Sequence, residues 1–216
     1  MAEYLTDDDR VMIIRKWWNE NGTTLIVTIV VAIAAVVGWR WYHEYTKTRD
    51  EAASATYTRY LEARQRDAKP EEVAALLATI DKDYRSSAYR VFTLFYRAYD
   101  AMVADDTAKA SDYLQTAIND ASDEHLRDIA RLRLARLQYQ SGDADGALAT
   151  IRTVKGKGFL SYAGELKGDI LLGQNKRDEA REAYQAAKAA AEPNEPQPVL
   201  DMKIVDLAKP NAAPSP

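Results

Sequence analysis

The sequence predicts an all-α protein: a single transmembrane helix near the N-terminus, followed by a solenoid of helical hairpins. Three observations predict it. An uncharged stretch, residues 21–39, is long enough to cross a bilayer. From about His43 to Ala191 apolar residues recur at helical spacing, with no proline between Pro70 and Pro193. Within that region a pattern of small residues repeats at intervals of 37 and 33 residues.

The totals narrow the function classes before any motif is read. The 216 residues suffice for one domain of ordinary size plus an appendage. With 29 basic against 33 acidic residues the net charge is −4, which offers no electrostatic footprint for nucleic acid. Cysteine is absent, so disulfides, thiol catalysis and cysteine-based zinc sites are excluded. That absence is compatible with either side of a bacterial inner membrane. The two histidines, His43 and His125, lie far apart and read as surface residues.

The anchor comes first. The uncharged stretch lies between Glu20 and Arg40, and as a helix it covers roughly 28 Å, close to the hydrocarbon thickness of a bilayer. Trp17 and Trp18 precede it, and Trp39, Trp41 and Tyr42 follow; all four tryptophans lie in these two belts. Such rings favour the headgroup level, where the ring body is apolar and the polar tip stays wet. A buried core helix would give the paired belts no purpose. A cleaved signal peptide is the stronger rival, since Ala32-Ile33-Ala34 has the form of a cleavage site. Yet apolar residues continue through Val37, and Asp7, Asp8 and Asp9 stand where a signal peptide is basic. The reading is an uncleaved span over residues 21–42 behind a short leader, residues 1–20. Arg10, Arg15 and Lys16 before the span balance Arg40, Lys47 and Arg49 after it, so charge leaves the orientation open.

The large domain, residues 43–192, reads as consecutive helices. Residues 44–66 continue helically from the span, with Tyr57, Tyr60, Leu61 and Arg64 at helical spacing. Lys69-Pro70-Glu71-Glu72 starts the next helix, with proline early and acids in the first turn. Ser86 or Ser87 caps a helix carrying Tyr89, Phe92, Phe95, Tyr96 and Tyr99, and Ser122-Asp123-Glu124 precedes another. Small residues at Ala98, Ala135 and Gly168 are each followed twelve positions on by alanine, at Ala110, Ala147 and Ala180. After Ala191 prolines break the helix. Residues 193–208 are expected to form a linker and a short amphipathic helix that covers the last repeat, and residues 209–216 a disordered tail.

This pattern resembles the tetratricopeptide repeat, whose small residues let two antiparallel helices approach closely. A large residue four positions after the alanine fills the groove between them, here Ile151 and Tyr184. The resemblance implies three to four hairpins, with a degenerate first one around Ala74. It also implies a concave surface formed by the first helix of each hairpin. Carried onto this chain, that surface comprises Phe95, Tyr99 and Met102, then Arg136 and Tyr139, then Leu172. Tyrosine, methionine and arginine in a groove are typical carriers of peptide or protein affinity.

Catalytic motifs are missing. No phosphate loop, histidine–glutamate metal motif or nucleophile elbow occurs, and Lys155-Gly156-Lys157-Gly158 reads as an inter-repeat turn. Asp105-Asp106 and Asp123-Glu124 fall at turns and helix starts, where capping accounts for them. The expectation is a protein without enzymatic activity, cofactor, metal or small-molecule substrate.

One family joins these features. Arg15-Lys16-Trp17-Trp18-Asn19-Glu20-Asn21-Gly22 precedes the span and Gly38-Trp39-Arg40-Trp41 closes it. Downstream stand Ala121-Ser122-Asp123-Glu124-His125-Leu126, Thr153-Val154-Lys155-Gly156-Lys157-Gly158-Phe159 and Gly168-Asp169-Ile170-Leu171-Leu172. Together these resemble the YfgM family, the ancillary subunit of the bacterial SecYEG translocon, over about residues 4–207. The resemblance implies an inner-membrane protein with a cytoplasmic N-terminus and a periplasmic repeat domain. It implies the SecYEG channel and the PpiD-type chaperone as partners, beside membrane lipid, and a role in chaperone handover of exported proteins. The alternative is a tetratricopeptide scaffold for another envelope or stress-response assembly, which shares every sequence feature. A membrane-bound hydrolase would need a convergent polar site that the sequence lacks.

Overall fold

The computed structural model describes residues 7–191 and 196–208, and every regular element among them is an α-helix. The expected disordered tail, residues 1–6 of the leader, residue 192 of the repeat domain and residues 193–195 of the linker lie outside these residues. In chain order the helices are α1 (Asp7–Gln65), α2 (Pro70–Asp83), α3 (Ala88–Val103), α4 (Thr107–Asp120), α5 (Glu124–Gln140), α6 (Ala144–Ile151), α7 (Lys157–Gly173), α8 (Arg177–Ala190) and α9 (Pro198–Ala208). Two compact units divide the chain, residues 1–52 and residues 53–216.

The first unit is helical from Asp7, because no proline interrupts the run from leader to span. Its side chains Ile29, Val30, Ile33 and Val37 are all at least half exposed. A helix apolar on every side belongs in lipid or a core, and no core covers this one, which fits a membrane anchor. Polar side chains in the span bond within the helix: Thr28 Oγ1 donates to Thr24 O at 2.8 Å and Asn21 Nδ2 to Trp17 O at 3.1 Å. Rings at the C-terminal end of the span stack on rings one helical turn further on, Trp39 on His43 and Trp41 on Tyr45.

The second unit is a row of hairpins joined by one kind of turn. Asp67, Asp105, Gly142 and Asn175 all have positive φ, and they recur 38, 37 and 33 residues apart. After each, the next N–H donates to the carbonyl five residues back: Ala68 to Ala63, Asp106 to Ala101, Asp143 to Gln138 and Lys176 to Leu171, at 2.8–2.9 Å. This left-handed ending satisfies carbonyls that a helix terminus would otherwise orphan. Asp106 and Asp143 then cap the second helix of their hairpins, accepting from Lys109 N at 3.1 Å and Gly146 N at 2.9 Å. Gly142, at φ 88°, is the glycine that the turn requires. Its replacement by alanine meets no neighbour but forces a left-handed β-carbon, so a loss of about 1 kcal/mol is expected in a denaturant melt.

The small residues do what close packing asks. Ala110, Ala147 and Ala180 are fully buried, as is Ala135, and Tyr184 fills the last groove with none of its surface exposed. Three contiguous clusters make the core: one around Val91, Leu94, Leu114 and Leu134, one around Ile151, Leu166 and Ile170, and one around Leu171, Tyr184 and Leu200. α9 contributes Leu200 to the last cluster. Lys203 of α9 donates at 2.7 Å to both Glu165 and Asp169 of α7, while the Tyr184 hydroxyl donates to Asp169 at 2.7 Å.

Charged groups tie neighbouring hairpins together. Arg90, nearly buried, joins Asp81 of α2 to Asp120 of α4. Arg127 donates to Ile118 O and Ala121 O, closing the end of α4. Asp128 is fully buried. It pairs with Arg131 at 2.7 Å and accepts from the backbone of Lys155 at 3.2 Å and Gly156 at 2.6 Å. The turn 153–156 therefore hangs on this one carboxylate, which stands at the start of α7 where no side chain of that helix caps it.

Candidate protein-binding groove

The aromatic spacing of α1 and α3 sets the groove floor. Tyr57 lies 5.3 Å from the Tyr89 ring and 5.9 Å from that of Phe92, and Tyr60 meets Tyr96 edge-on at 6.1 Å. One turn on, Arg64 grips Asp100 through two bonds of 2.5 and 2.7 Å and covers the Tyr96 ring at 5.1 Å. That bond to Asp100 holds the Arg64 guanidinium above its ordinary pKa. Burial, and then the neighbouring Tyr96, push Tyr57 up to about 12.

A raised phenol pKa favours the neutral form in the folded chain. The stability Tyr57 contributes is therefore complete below its unfolded pKa of 10.0 and is lost as pH climbs through about 12. We expect a melting temperature that declines across that window, and a Tyr57→Phe chain whose decline is shallower. A tyrosinate absorbance titration in which every tyrosine ionises at the ordinary value would contradict this.

Two adjoining hollows open above this floor. The first is lined by Tyr57, Phe92, Phe95, Tyr96, Tyr99 and Arg133. The second shares Phe95, Tyr99 and Arg133 and adds Met102, Leu114, Arg136 and Leu137. The ridge between them is the Arg133 guanidinium stacked 4.2 Å over the Phe95 ring. Partial desolvation there, and next the charge of Arg136, hold the Arg133 pKa below its ordinary value.

Four of the six residues expected on the concave surface meet in these hollows. Tyr99 is 61 % exposed, Met102 is 43 % exposed, and Arg136 is also open to solvent, while Phe95 is largely buried beneath Arg133. Tyr139 and Leu172 are not among the lining residues of either hollow. Tyr139 is half-buried in the second core cluster, with its hydroxyl beside Asp169 O at 3.4 Å, and Leu172 is 37 % exposed on α7. Arg133 carries no signal in the sequence, because an arginine within Leu132-Arg133-Leu134-Ala135 reads as an ordinary solvent-facing charge. The residues expected at the membrane interface, Trp17, Trp18, Trp39, Trp41 and Tyr42, belong to the first unit and are all at least half exposed.

Comparison with known proteins places this geometry. A family model described as a tetratricopeptide repeat-like domain matches residues 15–209. The chain is 30% identical over 209 residues to a Haemophilus influenzae protein named "Ancillary SecYEG translocon subunit", covering 96% of this chain and 100% of the relative. An Escherichia coli protein of the same name is 28% identical, with 96% and 100% covered. One from Aggregatibacter actinomycetemcomitans is 32% identical over 88% of this chain and 93% of its own length.

Proposed function

Because this chain belongs to the YfgM family of ancillary SecYEG translocon subunits, with their tetratricopeptide repeat-like domain, we propose that it acts as a membrane-anchored protein-interaction module at the translocon. It works without catalysis, and it passes exported proteins to a periplasmic chaperone of the PpiD type. The span holds the protein beside the SecYEG channel, with the N-terminus cytoplasmic and the repeat domain periplasmic. The observation that carries the reading is the open groove over α3 and α5, where Tyr99, Met102 and Arg136 stand exposed around the buried Phe95. Exposed aromatic and arginine side chains in a concave, pre-formed site are the usual anchors of a polypeptide partner.

The test is affinity purification of the full chain from its own membranes in mild detergent. Channel subunits and a periplasmic chaperone are expected among the enriched proteins. Recovery of a different envelope assembly, without the channel, would replace this reading with that of a general scaffold.

A further inference from the structure

Four arginines stand on α5, and they divide cleanly. Arg127 pairs with Glu124, and Arg131 with Glu124 and Asp128. On α3, Arg90 and Arg97 are likewise paired. Arg133 and Arg136 have no carboxylate within ion-pairing distance among the described residues, although the chain as a whole is acidic. Three residues apart on one helix, the two cations repel each other, an arrangement that destabilises the isolated helix. Both line the groove, and Arg133 holds its guanidinium carbon 4.2 Å over the Phe95 ring, within reach of whatever enters.

Resting on the reading above, we propose that this groove takes a segment of a partner polypeptide that carries an aspartate or glutamate flanked by two apolar side chains. The carboxylate receives the N–H groups of Arg133 and Arg136, and the two apolar side chains enter the hollows on either side. An arginine edge and a carboxylate make two parallel hydrogen bonds, strengthened where aromatic walls exclude water. The apolar partners follow from the shape of the site. One hollow is walled by Tyr57, Phe92 and Tyr96, the other by Met102, Leu114 and Leu137, and the cationic ridge runs between them. An extended chain offers alternate residues to one face, so the three stand at every second position, apolar, acidic and apolar, with the residues between them facing away. A phosphate or a free small anion would satisfy the arginines and leave both hollows wet.

The test replaces Tyr99 by a benzophenone-bearing photo-crosslinking residue in the full chain, irradiates native membranes and sequences the attached peptides. The expected adduct is a polypeptide segment with an acidic residue between apolar ones. Its yield should fall at least tenfold in an Arg133→Glu, Arg136→Glu chain. If that chain melts early by circular dichroism, the Arg133→Gln, Arg136→Gln chain takes its place and must show the same loss. Adducts to lipid, to a second copy of this chain or to a segment without a carboxylate overturn the proposal, as does a yield indifferent to both charge changes. Co-purification of the channel with the unaltered chain, measured in parallel, separates the two ideas. Its loss removes the translocon reading, whereas its retention with the wrong adducts removes this inference alone.

Discussion

Replacing Asp128 by alanine is expected to destabilise the repeat domain by about 2–4 kcal/mol, chiefly the cost of leaving two backbone N–H groups without their buried acceptor. The carboxylate has no exposed surface, so water cannot take over its bonds. Arg131 would keep Glu124 at 2.6 Å, but the N–H groups of Lys155 and Gly156 would lose their acceptor. Two orphaned amides at the start of α7 then loosen the junction between the third and fourth hairpins. Asp128→Asn should cost less, because its amide oxygen can still accept one N–H while the charge opposite Arg131 is gone. Urea unfolding of the full chain in detergent, followed by circular dichroism, measures both. A loss under 1 kcal/mol for the alanine variant would mean that the turn is held some other way.

The second large effect is expected from adding one methyl group. A β-carbon at position 168 would fall within the Tyr184 ring, against Cδ1 and Cε1. That ring is buried and its hydroxyl is tethered to Asp169 at 2.7 Å, so it cannot swing aside. Overpacking of this kind costs about 1–3 kcal/mol, at the upper end where the neighbour is tethered. Gly168→Ala combined with Tyr184→Leu should lose less than the two single changes added together, since each relieves the other. Strict additivity in the double-mutant cycle would show that the contact is not what makes glycine necessary.

The repeat architecture was legible because its constraints are local. Ala98, Ala135 and Gly168 each precede a buried alanine by twelve positions, and the turns between them fall at Asp105, Gly142 and Asn175. The acidic pairs supply caps, as their positions imply: Asp106, at the first of those turns, takes Lys109 N, and Asp123, between α4 and α5, takes His125 N. The first hairpin was harder to read because its turn at Asp67 carries an extra residue before the cap at Lys69.

Long-range partnerships were not legible. Asp128 sits among Leu126, Ile129 and Leu132 and looks like a polar-face residue. Its amide partners lie 27 and 28 residues away, where no periodicity points to them. Lys203 is similar: it reaches Asp169 across 34 residues. For the groove, the resemblance to the repeat supplied Phe95, Tyr99, Met102 and Arg136, whereas Arg133 entered only through its stacking on Phe95. Tyr139 packs against α7 because Gly173 leaves room for its hydroxyl, a contact invisible in sequence.

Hydrogen–deuterium exchange bears most directly on the claim that an anchored repeat domain engages the translocon through this groove. The full chain, held in lipid nanodiscs, is compared with and without purified SecYEG. Slowed exchange is predicted in peptides covering Phe95–Met102 of α3 and Arg133–Arg136 of α5, with α4 and α6 unchanged. Protection confined to the second helices of the hairpins, or none in the repeat domain at all, would contradict it.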